Sequence, residues 1–167
     1  MKTNGSLYVS VVFAVLIGYF TYQWWFNPAR AVKRRLGEVA AVLSVPAADS
    51  DIGRVTRLAQ LRKYLAEDIH VRAGASGPEA TSRDMVLAAI AGWKPSPAGW
   101  DVHFADAQIT VDSDSTARAY LTVEVTTADR QTGQPTIDAR EANVVLAKRD
   151  GEWVITNAES KETLTRP

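Results

Sequence analysis

The sequence predicts an α+β protein: one N-terminal transmembrane helix, then a domain of three helices packed on a curved antiparallel sheet. Three observations carry this. Leu7 to Phe26 holds no charged residue. Apolar residues then recur at three- and four-residue spacing as far as Ile90, and from Trp100 onward they alternate. Helices gathered at the front and strands at the back fit layers of α+β type rather than a wound parallel sheet.

At about 1.5 Å per residue, the uncharged stretch makes a helix of roughly 30 Å, the thickness of a bilayer's hydrocarbon core. Tyr19, Tyr22, Trp24 and Trp25 fall at its C-terminal end, where amphipathic rings favour the headgroup layer, and Asn27-Pro28 breaks the pattern. A cleaved signal peptide wants a shorter apolar region followed by small residues, and bulky aromatics stand in that place. Residues 1–28 therefore read as an uncleaved single-pass anchor in the inner (cell) membrane, 29–162 as one domain and 163–167 as a tail. Arg30, Lys33, Arg34 and Arg35 follow the span, and the positive-inside rule places the domain on the cytoplasmic side. Export behind a short N-terminal tail is the alternative, with the same cations serving as the polar face of the next helix.

From Ala29 to Val45 the stripe Val32, Leu36, Val39, Leu43 predicts the first helix of the domain. Ser50 or Asp51 caps a second, whose stripe Ile52, Val55, Leu58, Leu61, Leu65 ends near Ala66. Ile69, Val71 and Ala73 alternate with His70 and Arg72 as a short strand, followed by a turn over Gly74 to Glu79. Ser82 caps a third helix that stops before Pro95 and Pro97. Alternation then marks Val102 and Phe104, Ile109 and Val111, and Ala117 to Val125, with two more strands at about Thr136 to Lys148 and Glu152 to Ala158. Asp150-Gly151 predicts a type I′ hairpin turn, and three consecutive hairpins make an antiparallel meander.

This order, with LAEDIHVRAG in the short strand, SRDMV opening the third helix and REANVVLAKRDGEWVITNAE closing the chain, resembles the nuclear transport factor 2-like superfamily. That superfamily includes SnoaL-like and steroid-isomerase-like domains. The resemblance implies a cone whose mouth holds an apolar cavity, over about Ala29 to Glu159. It also implies, for the isomerase pattern, a base carboxylate at the end of the short strand and a tyrosine on the first helix. Ala73 and Gly74 stand at the first position, and the first helix has no tyrosine. Isomerase chemistry is therefore not expected.

The remaining polar candidates are Glu67, Asp68 and His70 after the second helix, Asp101, His103 and Asp106 on the first long strand, and Arg140 and Asn143 on the third. Tyr64, His70, Arg140 and Asn143 are candidates to line a pocket, with Asn143 pointing inward beside Val145. Asp101 and His103 share a strand face and form a weak catalytic alternative. Convergence of Asp101, His103, Arg140 and Asn143 on one cavity is what an enzyme would require. No metal site is expected, because the two histidines lack any local ligand spacing, and no cofactor motif is present. Arg118, Tyr120, Thr122 and Glu124 form the polar face of the central strand, and Trp93 and Trp100 flank KPSPAG as either an exposed apolar contact or a core closure.

Lysine and arginine number 19, as do aspartate and glutamate, so no net field favours nucleic acid. With no cysteine, thiolate catalysis and disulfides are excluded. The expected partners are the lipid bilayer, other membrane-protein subunits, and a second copy through the open sheet. The functional expectation is a non-catalytic accessory or stabilising subunit. The alternative is a tethered small-molecule binder or enzyme using the cavity.

Overall fold

A computed structural model of the chain describes residues 11–18, 27–74, 77–93, 98–128 and 132–161. Within the expected span, residues 11–18 are helical and solvent-facing. The rest of it, with Tyr19, Tyr22, Trp24 and Trp25, lies outside the described residues. Among the described residues no helix is long and apolar enough to cross a membrane.

Helix α1 (Pro28–Leu43) starts where Asn27 accepts a hydrogen bond from the Ala29 amide and Pro28 fills the first position, where a missing N–H costs nothing. It buries Val32, Leu36 and Val39, the stripe expected of it. Ser50 caps α2 (Asp51–Leu61) through the Gly53 amide, and Ser82 caps α3 (Arg83–Gly92) through Met85. The second helix ends earlier than expected. A 3-10 turn, Arg62–Tyr64, leads straight into β1 (Leu65–Ala73), so Leu65 belongs to the sheet, where it pairs with Ile155. Long-range strand pairing overrides the helical period there.

Strands β2 (Glu79–Ala80), β3 (Trp100–Ser113), β4 (Thr116–Ala128), β5 (Pro135–Arg149) and β6 (Glu152–Ser160) complete one curved six-stranded sheet, ordered β2-β1-β6-β5-β4-β3. The meander β3 to β6 is antiparallel as expected. The sheet as a whole is mixed, because β1 lies parallel to β6. The two apolar alternations in β3 belong to one strand. Phe104 and Ile109 face the same side although their positions differ by an odd number, and the bulge at Asp106 (φ 49°) absorbs the slip. Asp150 and Gly151 both have positive φ, 52° and 85°, as a type I′ turn requires.

The core lies between the helices and the inner sheet face. Ala117, Ala119 and Leu121 of β4, Ala142, Val144 and Leu146 of β5, and Trp153 and Ile155 of β6 meet Val32, Leu36 and Val39. Burying each larger side chain contributes about 1.5–3 kcal/mol, and small alanines on β4 leave room for the helix to approach. The outer face carries Arg118, Tyr120, Thr122 and Glu124, as the alternation predicts.

Candidate functional site

α1, α2 and α3 converge on the start of β3 around a small cleft lined by Leu43, Leu58, Leu61, Ile90, Trp93 and Trp100, with Asp49, Arg54 and Arg57 at its rim. Trp100 is fixed by its indole N–H, which donates to the Leu43 carbonyl at 2.8 Å. Its backbone pairs with Val45 in both directions, at 2.8 and 2.9 Å, which ties the exit of α1 to the edge of β3. Gly99 makes this junction possible: its φ is +73°, and a Cβ there would stand 2.2 Å from the Val45 oxygen. Trp93 meets Trp100 edge-on, 6.1 Å between centroids, with 62% of its own surface exposed. The exposed-contact alternative therefore describes Trp93, whereas Trp100 is half-buried and lines the cleft beside the core.

Among the described residues Asp49 is the only carboxylate on this cleft, and its side chain is largely buried against Arg57. The Arg57 hydrogen bond, reinforced by the charges of Arg57 and Arg54, holds the Asp49 carboxyl below the usual carboxylate range. A carboxylate so stabilised is a poor proton acceptor. The cleft measures about 40 Å³, room for a few waters, whereas pockets that take drug-sized ligands measure roughly 300–1,000 Å³.

The expected pocket residues do not meet. His70 faces outward on β1, in a shallow depression with Glu79, Asn157 and Glu159. Asn143 is opposite Tyr120 on the outer face, and Val145 lies on that face with it, because Val144 and Leu146 take the core side. The inward orientation expected for Asn143 is thus reversed. Arg140 stands across from Val123 on the inner face but at its uncovered end, exposed and paired with Asp138 at 3.3 Å. Tyr64 sits apart from all of these, under the guanidinium of Arg35 at 4.4 Å. Asp101 and His103 do share one side of β3, the outer one, where Asp101 accepts a hydrogen bond from Ser44 at 3.3 Å and His103 lies across from Glu124. Glu67 pairs with Arg83 and Asp68 with Arg149, both in ion pairs at the protein surface. Asp101, His103, Arg140 and Asn143 therefore do not converge on one cavity.

Among the cations after the expected span, Arg30, Lys33 and Arg34 are exposed on α1. Arg35 is turned in instead: it donates to the Trp153 carbonyl at 2.8 Å and pairs with Glu38 and Glu152. It clasps the helix to the β5–β6 hairpin rather than facing a headgroup. The charged rim of Asp49, Arg54 and Arg57 was missed in the sequence, where Ser50 and Asp51 drew attention as caps. The available signal was an acid just ahead of the cap and two arginines one turn apart.

The family model described as a SnoaL-like domain matches residues 46–159, more than half of the chain. The chain belongs to the SnoaL-like family. Solved structures share the fold of this SnoaL-like domain at low identity. A nuclear transport factor 2-like protein with a cystatin-like fold from Novosphingobium aromaticivorans is 13% identical, with a TM-score of 0.69 over 88% of this chain and 90% of that one. A putative scytalone dehydratase from the same organism is 19% identical, with a TM-score of 0.64 over 81% and 83%. The CamKII hub homology domain of Chlamydomonas reinhardtii is 14% identical, with a TM-score of 0.63 over 80% and 97%. No curated protein matches the sequence.

Proposed function

We propose that this SnoaL-like domain is a non-catalytic module, tethered to the membrane by its N-terminal apolar segment, that serves as an accessory or stabilising subunit of a membrane protein complex. The observation that carries the non-catalytic part is the cleft: its one carboxylate among the described residues is neutralised by Arg57, while Asp101 and His103 lie on the outer side of the sheet. A fold with a hub homology domain among its relatives is compatible with a role in assembly. The tether rests on the charge-free run from Leu7 to Phe26. The domain is read as cytoplasmic, and its polar outer face, with Tyr120, Asn143 and His103, as the surface offered to partner subunits or to a second copy.

The test is made on the full chain. Carbonate-washed membranes are expected to retain it, and extraction in mild detergent is expected to recover it at stoichiometric ratio with a larger complex through size exclusion. Release by carbonate refutes the tether, and elution alone refutes the accessory role.

A second reading, a binder or enzyme for a small apolar molecule, is favoured by the partly exposed Trp93 over an apolar cleft and by the putative dehydratase among the structural relatives. It requires the cleft to widen. A ligand-induced rise in melting temperature that Trp93→Ala abolishes would establish it.

A further inference from the structure

We propose that the outward face of α2 and α3 docks a second copy of this chain through a two-fold contact, separate from the outer face of the sheet. The two helices lie side by side and antiparallel. The end of α2 meets the start of α3 through Arg62 and Asp84 at 3.2 Å, while Arg54 and Leu58 share the cleft with Ile90 and Trp93. Their inward sides carry Leu58 and Leu61 on α2, and Val86 and Ile90 on α3.

The opposite sides of helices at a water-facing surface are expected to be polar, and α1 obeys this, with Arg30, Lys33 and Arg34 exposed. The pair α2 and α3 does not. Between the charged residues at the ends of α2, the exposed positions are Ile52, Val55, Thr56, Ala59 and Gln60. On α3, every exposed position after Asp84 is apolar or glycine. A helix that is apolar on both sides belongs between two layers, and the sheet supplies only one of them.

Shape and size commit this face to a second copy. Ile52 and Val55 stand out from α2 as a ridge, whereas Ala88, Ala89 and Gly92 leave the neighbouring α3 low, and a Cβ added at Gly92 meets nothing within 4 Å. A ridge beside a trough on one surface is self-complementary: after a half-turn, the ridge of each copy enters the trough of the other. Ile52, Val55, Met85 and Trp93 together leave bare an area on the order of 500 Å². The exposed alanines between them bring the face toward the roughly 800 Å² per partner of a standard interface. An area at this lower end makes a dimer that dissociates on dilution.

Sedimentation equilibrium of the full chain, in detergent matched to the solvent density, tests this, and a monomer–dimer equilibrium is expected. In Gly92→Leu the new side chain meets open space in one copy and fills the trough against the other. Its dissociation constant should rise about tenfold or more, while its urea midpoint at dilution is not lowered. Ile52→Asp should abolish the dimer, and Glu124→Lys, on the outer sheet face, should leave it unchanged. A chain that is monomeric at every concentration, or a dimer that both helix variants keep, overturns the proposal. Loss of the dimer in Glu124→Lys alone overturns it by giving the second copy to the sheet. One copy co-purifying with a different protein that Ile52→Asp releases overturns it by giving the face to a partner subunit. The number of copies of this chain is read separately from the recovery of a larger complex, which judges the accessory role.

Discussion

Helices α1 and α2 carry the same kind of apolar stripe, yet one is buried and the other is half bare. In α1, Val32, Leu36 and Val39 are at most 3% exposed, whereas Ile52 and Val55 of α2 are 81% and 66% exposed. The difference is what each helix rests on. α1 lies across the sheet and touches β3 and β6, while α2 rests mainly on its neighbouring helices, burying Leu61 and directing Leu58 into the cleft. A helical period reports that one face is apolar; the topology decides what covers it.

The comparison is most directly tested by paired truncations. Leu36→Ala should cost about 2–5 kcal/mol in urea unfolding, since it leaves a cavity under a fixed helix. At the joint between the two regions, Gly99→Ala forces a side chain onto a positive φ and into the Val45 carbonyl, and a loss of about 1–3 kcal/mol is expected from the same measurement. Removing the α2 cap with Ser50→Ala should cost about 1 kcal/mol. Asp49→Asn addresses pH. The folded carboxyl titrates lower than the unfolded one, so its contribution is present above the ordinary carboxylate range and disappears as pH falls through the folded value. The urea midpoints of wild type and variant should therefore differ near neutrality and converge in acid. Smallest is Ile52→Ala, within about 0.5 kcal/mol for the isolated protein. A loss comparable to that of Leu36→Ala would mean that the exposed stripe of α2 is covered, and the contrast between the helices would fall.

Much of this fold is legible in the residues. The caps Ser50 and Ser82, the stripe of α1, the Asp150-Gly151 turn and the outward row Arg118, Tyr120, Thr122, Glu124 all act locally, and local chemistry is what a sequence displays. The parallel pairing of β1 with β6 is not legible, because it joins segments from opposite ends of the domain. Asn143 was misread for a different reason. From Ala142 to Ala147 almost every residue is apolar or small, so both parities look like core, and only pairing with Ala119 and Leu121 shows that Val144 and Ala142 face inward. The candidate site was least legible. Its rim of Asp49, Arg54 and Arg57 depends on a chain reversal before α2, and the one local sign of it, an acid ahead of the cap with two arginines one turn apart, does not say that the three meet at a cleft.

The seam between β1 and β6 also sets an order of events. Leu65 leaves the ribosome long before Ile155, and at about 5–20 residues per second the wait is on the order of ten seconds. Through that interval one edge of β1 has no partner, and the helices have only part of a sheet to rest on. Closing so long a loop is slow compared with forming the hairpins. The last strand made is thus the one that completes the domain, and a chain cut short before Glu152 would leave β1 with an open edge and the core without Trp153 and Ile155.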